Sequence, residues 1–236
     1  MTADNPSLPN TTEVFHAKAR AEYQEYFAVR DELEINVIPM APDASLPTDD
    51  DFLQQAPAVF RLASELQGVD PTALAQLRSL GNAAQIIADV LNQQNRKLSA
   101  LLSYLLRNED EPEHRALGFE YGGAGVGFCM QKPIALGQLV EIKIFLPDES
   151  TAVYCIGQII ECDEAPATST SANADAPMTS SHTDDATNPS SSASGYRLKA
   201  LFQRISDSDR ELLIRACMHA QSRLLKKRAN ARHDSP

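Results

Sequence analysis

The chain has 236 residues, 43% of them hydrophobic, and a formal net charge of −11. That length buries one good core plus extensions, and the acidity excludes general affinity for nucleic acid or an anionic membrane surface. The charge is uneven, with four basic against thirteen acidic side chains in residues 1–70 and ten basic against four acidic in residues 196–236.

The two ends are therefore electrostatically complementary. They can lie against each other or against neighbouring subunits, or stand as separately solvated surfaces. Met1 to about Thr12 is polar and Pro-broken, and reads as a mobile tail. Glu13 to about Tyr26 reads as a short helix, with Thr12 as cap and Phe15, Ala19 and Tyr23 on one side. Leu33, Ile35 and Val37 then alternate with Glu34, Asn36 and Ile38, which is strand period, closed by Pro39 and Pro42. Thr48 to Asp51 is a capping-box pattern, with Asp in the Glu/Gln place. The helix it opens spaces Phe52, Ala56, Val59, Phe60, Ala63 and Leu66 along one face and ends at Gly68.

After Pro71 no proline occurs through Arg107, and only Gly81 interrupts. Asp70-Pro71 supplies a cap and a first helical position. Read in sevens, one position carries Leu77, Ala84, Leu91, Leu98 and Leu105, and the position three later carries Leu80, Ile87, Gln94 and Leu101. That is a heptad seam with one polar residue near its middle. Such a helix is roughly 55 Å long, so one end projects and its apolar stripe needs a cover. Either the preceding helix folds back over it or a bundle forms between chains. The flanking Ile86, Val90, Leu102 and Leu106 make the face too wide for a two-stranded seam, which favours a tetramer over a dimer. The acidic run Glu109-Asp110-Glu111 with Glu113 reads as a solvated helix end.

Beyond Pro112 the texture turns strand-forming, and seven of the ten glycines fall between Gly118 and Gly157. Val126–Met130, Val140–Leu146, Ala152–Cys162 and Tyr196–Ile205 read as strands of an antiparallel barrel or sandwich, with a forced turn between Pro133 and Gly137. Asp163 to Ser194 is Ser, Thr, Ala, Asn and Asp with almost nothing large and apolar, and reads as a disordered loop. A last helix starts at Ser206-x-x-Asp209 and runs to about Arg228.

Catalytic and metal chemistry finds no footing. Gly122-Gly123-Ala124-Gly125-Val126-Gly127 is followed by a strand, whereas a dinucleotide fingerprint opens a helix. The reading for it is a glycine turn with positive φ. The five histidines are scattered, and Cys129, Cys155, Cys162 and Cys217 form neither C-x-x-C nor a zinc spacing. Four free thiols in a reducing cytoplasm follow, with no cofactor and no metal. No stretch approaches the ~18 apolar residues of a membrane span, so the expected protein is soluble, cytoplasmic and not an enzyme.

The block from Gly118 to Phe128, then Pro133-Ile134-Ala135-Leu136-Gly137-Gln138 and Val140 to Pro147, resembles the PilZ domain. So do Ile156 to Ile160, Tyr196-Arg197-Leu198 leading to Phe202 and Ser206 to Glu211, and Tyr26-Phe27-Ala28-Val29 ahead of the first strand. Two long helices between the first strand and the glycine block look like the atypical, tetrameric branch of that family. The resemblance implies an α+β fold, a six-stranded antiparallel barrel with two long helices inserted after its first strand and a C-terminal helix. It divides the chain into a tail and short helix (1–24), the first part of the barrel (25–40), an inserted oligomerisation region (48–108), the rest of the barrel with its helix (117–228, containing the loop 163–194) and a tail (229–236).

The family commonly binds the bacterial second messenger cyclic di-GMP through R-x-x-x-R ahead of the first strand and D/N-x-S-x-x-G. In this chain the arginine places fall on Gln24 and Ala28, and the second motif reads Glu120, Gly122 and Gly125, of which only the glycine matches. The resemblance thus implies a regulatory or adaptor protein in cyclic di-GMP-related control of motility, pili or surface behaviour, with itself and a signalling or motility protein as partners. Two alternatives stay open: a genuine cyclic di-GMP receptor using Arg20 or Arg30, and a structural scaffold without ligand.

Overall fold

The computed structural model describes residues 11–25, 28–65, 76–165 and 195–233. In chain order these form α1 (Thr11–Glu25), β1 (Ala28–Val29), β2 (Leu33–Pro39), α2 (Asp49–Gln55), α3 (Ala58–Glu65), α4 (Asn82–Asn108), β3 (Arg115–Gly122), β4 (Gly125–Met130), β5 (Leu139–Leu146), β6 (Thr151–Ala165), β7 (Gly195–Ile205) and α5 (Asp207–His233). The strands pair antiparallel in the order β1-β3-β2-β5-β6-β7-β4, and a further β3–β4 pairing closes the ring. Six strands, β2 to β7, therefore make the α+β barrel expected from the resemblance. The short β1 continues the edge that β2 offers to β3, with Ala28 opposite Gly122 and Val29 opposite Tyr121.

Alternation explains the core. Ile35, Val37, Val126, Phe128, Ile142, Ile144, Val153 and Leu198 point inward and are buried, and Leu212, Leu213, Ala216 and Ala220 of α5 pack into the same core. The Ser206 hydroxyl caps α5 by accepting from the Asp209 N–H at 3.1 Å. Strand β6 is buried on both faces, because Ala152, Tyr154 and Ile156 lie under Phe52, Phe60, Leu102 and Leu106 of the inserted helices. A strand covered twice reads as a continuous apolar run, as Ala152 to Ile156 does. The oppositely charged ends do meet: Arg204 pairs with Asp49 at 3.1 Å, and Arg223 with Asp31 at 3.3 Å.

Several expectations change. The Thr48 cap holds, its Oγ1 accepting from the Asp51 N–H at 3.3 Å and donating to Asp51 Oδ2 at 2.7 Å. The helix it opens, however, is two helices. Pro57 has no N–H to continue α2 and forces Ala56 to φ −57°, ψ 127°, out of the helical region. The long helix is likewise divided. Residues 76–79 are helical, Gly81 takes φ +112°, and the 27-residue α4 starts afresh, about 40 Å long; the expected start at Asp70-Pro71 lies outside the described residues.

Strand β3 was not expected, since Gly118 and Gly122 interrupt its alternation. The turn at Gly123-Ala124 is present, but its glycines do not take positive φ; Gly137, in the forced turn, does, at +83°. What the block needs glycine for is close approach. A Cβ on Gly125 would stand 2.2 Å from the Ala200 carbonyl oxygen, and one on Gly127 would stand 2.7 Å from the Phe119 ring. Residues 163–165 extend β6, and the rest of the expected loop lies outside the described residues.

Candidate functional site: the Glu120 face and the long helix

A register shift between Gly118 and Glu120 places Glu120 on the outer face of the barrel, where its side chain is 12% exposed. It accepts from the Tyr23 hydroxyl at 3.0 Å and lies 3.4 Å from Lys199 Nζ. Lys199 is also 3.2 Å from Glu161 and 5.5 Å above the Tyr23 ring. Burial, then Glu120 and Glu161, push the Tyr23 phenol far above its ordinary value, so it stays a neutral donor. Alongside, the Arg197 guanidinium stacks 4.2 Å over Phe119.

Helix α1 covers this face. Ala19 and Tyr23 pack with Ala124, Ile160 and Leu201, and the Tyr23 ring sits 2.6 Å from where a Gly125 Cβ would be. Of the expected ligand positions, Ala28 and Gly122 are brought directly opposite each other, and Glu120 lies on the same strand as Gly122. Gln24 is exposed on α1, next to the buried Tyr23. A cavity of about 280 Å³ beside them is lined by Phe119, Arg197 and Lys199 but also by Glu161 and Asp163. Two cations there face three carboxylates once Glu120 is included. An anionic ligand meets a face whose lysine is already neutralised. Sequence reasoning put Tyr23 on the apolar side of α1 but gave neither it nor Lys199 a role; their contacts span 97 and 79 residues, beyond any local pattern.

The second feature is the apolar stripe of α4. Ile87 is 55% exposed and Leu101 61%, and Leu91, Leu98 and Leu105 are exposed as well; Leu80, ahead of the break at Gly81, is also exposed. Gln94 is exposed, and Leu77 and Ala84 are half-buried. The flanking residues split. Ile86 and Val90 are open, whereas Leu102 and Leu106 pack on Phe60 and the barrel. Among the described residues, then, the preceding helices cover Leu102 and Leu106 and not the heptad seam. An exposed apolar row interrupted only by Gln94 along α4 is unlike the scattered exposed leucines of a monomer surface.

At Asp110 and Glu111 the acidic end of α4 is a docked joint, contrary to the solvated helix end expected, whereas Glu113 is exposed. Lys143, nearly buried, bonds Glu111 at 2.6 Å. Fully buried Asn36 donates to Asp110 Oδ1 and to the Glu111 carbonyl at 3.1 and 3.0 Å, and accepts from the Glu111 N–H at 3.1 Å. The hydrogen-bonded Arg115 guanidinium, with Asn36, holds the Asp110 carboxyl below its usual range. Glu111, Glu113 and His114 bring their ligand atoms within 4.8 Å of one another, but Glu111 already faces the Lys143 cation. No helix among the described residues is long and apolar enough to cross a membrane.

No family model and no curated protein matches the chain. Among solved structures it is similar to the Bacillus subtilis inhibitor of motility MotI/DgrA, at 8% identity and a TM-score of 0.39, over 84% of this chain and 51% of that one. The chain thus spans about half the length of that protein. It is also similar to a pathogenic protein from Xanthomonas campestris, described as a new tetrameric PilZ domain self-assembled via an unusual helical bundle. There the identity is 12% and the TM-score 0.46, over 88% of this chain and 97% of that one.

Proposed function

We propose that this chain is an atypical PilZ-type regulatory or adaptor protein of cyclic di-GMP-related signalling, without enzymatic activity, acting on motility, pili or surface behaviour. It assembles through the inserted region 48–108, as a tetramer whose bundle is built on α4. The single observation that carries the assembly is the heptad row left open on α4 while its neighbours Leu102 and Leu106 are spent on the barrel. The signalling context rests on the resemblance of the glycine block and the strands that follow it.

Tight capture of cyclic di-GMP is not part of the reading. Two phosphates and two stacking bases need fixed positive charge beside the barrel rim, and Gln24 and Ala28 supply none. Losing two charge-assisted contacts of ~1.5–3 kcal/mol each removes about two to four decades of affinity. The test is native mass measurement of the full chain with and without cyclic di-GMP, joined to calorimetry. The expected result is a tetramer, unchanged by the nucleotide, with no binding at low micromolar concentration. A monomer sinks the assembly; tight binding favours the receptor alternative, with the exposed Arg20 and Arg30 the first residues to test.

A further inference from the structure

Helix α5 is apolar on two faces, and among the described residues only one of them is covered. Leu213, Cys217 and Ala220 are buried in the barrel core, and Leu224 packs against its edge. On the opposite side Ile214 is 40% exposed, Met218 61% and Leu225 57%. With Gln221 they stand at i, i+4, i+7 and i+11, a single line along about three turns. Charge surrounds that line. From Leu212 to His233 the sequence holds six Lys or Arg and no Asp or Glu, in a chain of net charge −11. Arg223 is spent on Asp31 and Asp148. Arg215 and Lys226 flank the line on one side and Arg228 on the other. All three are exposed, and no ion pair to them forms among the described residues.

Cations in the last turn of a helix are ordinary, because they offset its dipole. The dipole accounts neither for Arg215, well before that turn, nor for the exposed Met218 and Leu225. We propose that this face docks an acidic amphipathic helix of a partner protein. Its apolar row lies on Ile214, Met218 and Leu225, and its carboxylates stand beside Arg215, Lys226 and Arg228. Steps of four and three residues are those by which two helices pack side by side, and opposite potentials select the partner and its register. A membrane surface fits less well. No Phe, Tyr or Trp stands between Leu212 and His233 to sit among headgroups, and the rest of the chain is acidic. The proposal names the partner chemistry of the adaptor reading and rests on it.

The experiment titrates the full chain into a labelled, capped peptide of three Ile-Glu-Ala-Leu-Glu-Glu-Ala heptads and follows fluorescence anisotropy. Controls are the peptide with Lys for every Glu, a scramble without the apolar row, and vesicles of phosphatidylcholine with phosphatidylglycerol. Saturable binding of the acidic peptide is expected, about tenfold or more tighter than that of either control peptide and weakened by salt. Met218→Asp should weaken it about tenfold or more, as should Arg215→Glu with Lys226→Glu; melting curves establish that these surface variants are folded. Leu101→Asp, on the α4 stripe, should leave it unchanged, so that failure of the assembly reading is told apart from failure of this one. Loss of binding with Leu101→Asp and not with Met218→Asp gives the peptide to α4 and overturns the proposal. So does a smaller particle mass for Met218→Asp, which assigns the face to a second copy of the chain. Binding to the vesicles alone, or no saturable binding of the acidic peptide, overturns it as well.

Discussion

The Tyr23 hydroxyl donates to Glu120 Oε1 at 3.0 Å, tying the helix ahead of the barrel to the carboxylate that stands at the start of the expected ligand motif. Tyr23→Phe keeps the ring and removes only that bond. It should cost ~0.5–1.5 kcal/mol, since Lys199 still neutralises Glu120. Hydrogen exchange should quicken in α1 and stay unchanged in β5 and β6; uniform acceleration would mean that α1 is part of the global unfolding unit.

Directly beneath that ring, Gly125→Ala places a Cβ against the Ala200 carbonyl, a backbone atom that cannot turn aside. About 1–3 kcal/mol of stability should be lost, read as a lower urea midpoint at constant slope. A neutral outcome would show that β4 and β7 can part by several tenths of an ångström.

Restoring charge tests the ligand reading from the other side. Gln24→Arg with Ala28→Arg, Glu120→Asp and Gly122→Ser should raise affinity for cyclic di-GMP measurably above that of the wild type by calorimetry. The serine is permitted by the backbone, because Gly122 does not lie in the left-handed region. No gain in the fourfold variant would mean that α1, packed over the face through Tyr23, blocks the site whatever its charge.

What the sequence made legible was short-range or periodic. The Thr48 cap, the alternation of β5 and β7 and the wide stripe of α4 each follow from neighbours within a few residues. The barrel itself came through the order of its motifs. The helix break at Pro57 was readable and was missed, outweighed by an apolar spacing that continues across it to Phe60. The acidic joint was not readable. Its partners Asn36 and Lys143 lie 75 and 32 residues from Glu111, and an acidic run at a helix end gives no sign of a distant lysine. Nor does the heptad say which leucines serve the barrel: Leu102 and Leu106 differ from Leu101 and Leu105 only in the direction they face once α4 has docked.

Asp209 gives the pH prediction. Burial raises its pKa above the ordinary 3.8, against the opposing hydroxyls of Ser206 and Ser64. A carboxyl with a raised folded pKa contributes stability that is present below the unfolded value and lost as pH rises through the folded one. Asp209→Asn, a neutral isostere, should therefore raise the melting temperature at pH 7, with the advantage shrinking toward zero below about pH 4. An equal gain at both pH values would place the effect in packing and not in charge.

Leu101 and Leu102 are adjacent, and aspartate should affect them in opposite ways. Leu101 is 61% exposed on the open stripe, whereas Leu102 is 5% exposed against the helices and strand β6. Leu102→Asp removes a buried side chain worth ~1.5–3 kcal/mol and adds a carboxylate with no partner, so the melting temperature should fall steeply whatever the protein concentration. Leu101→Asp touches nothing within the chain that its own subunit buries. It should leave strand content intact while light scattering reports a fall from tetramer to smaller species, and melting should lose its dependence on concentration. If Leu101→Asp and Leu91→Asp both keep the wild-type mass, α4 is not the seam.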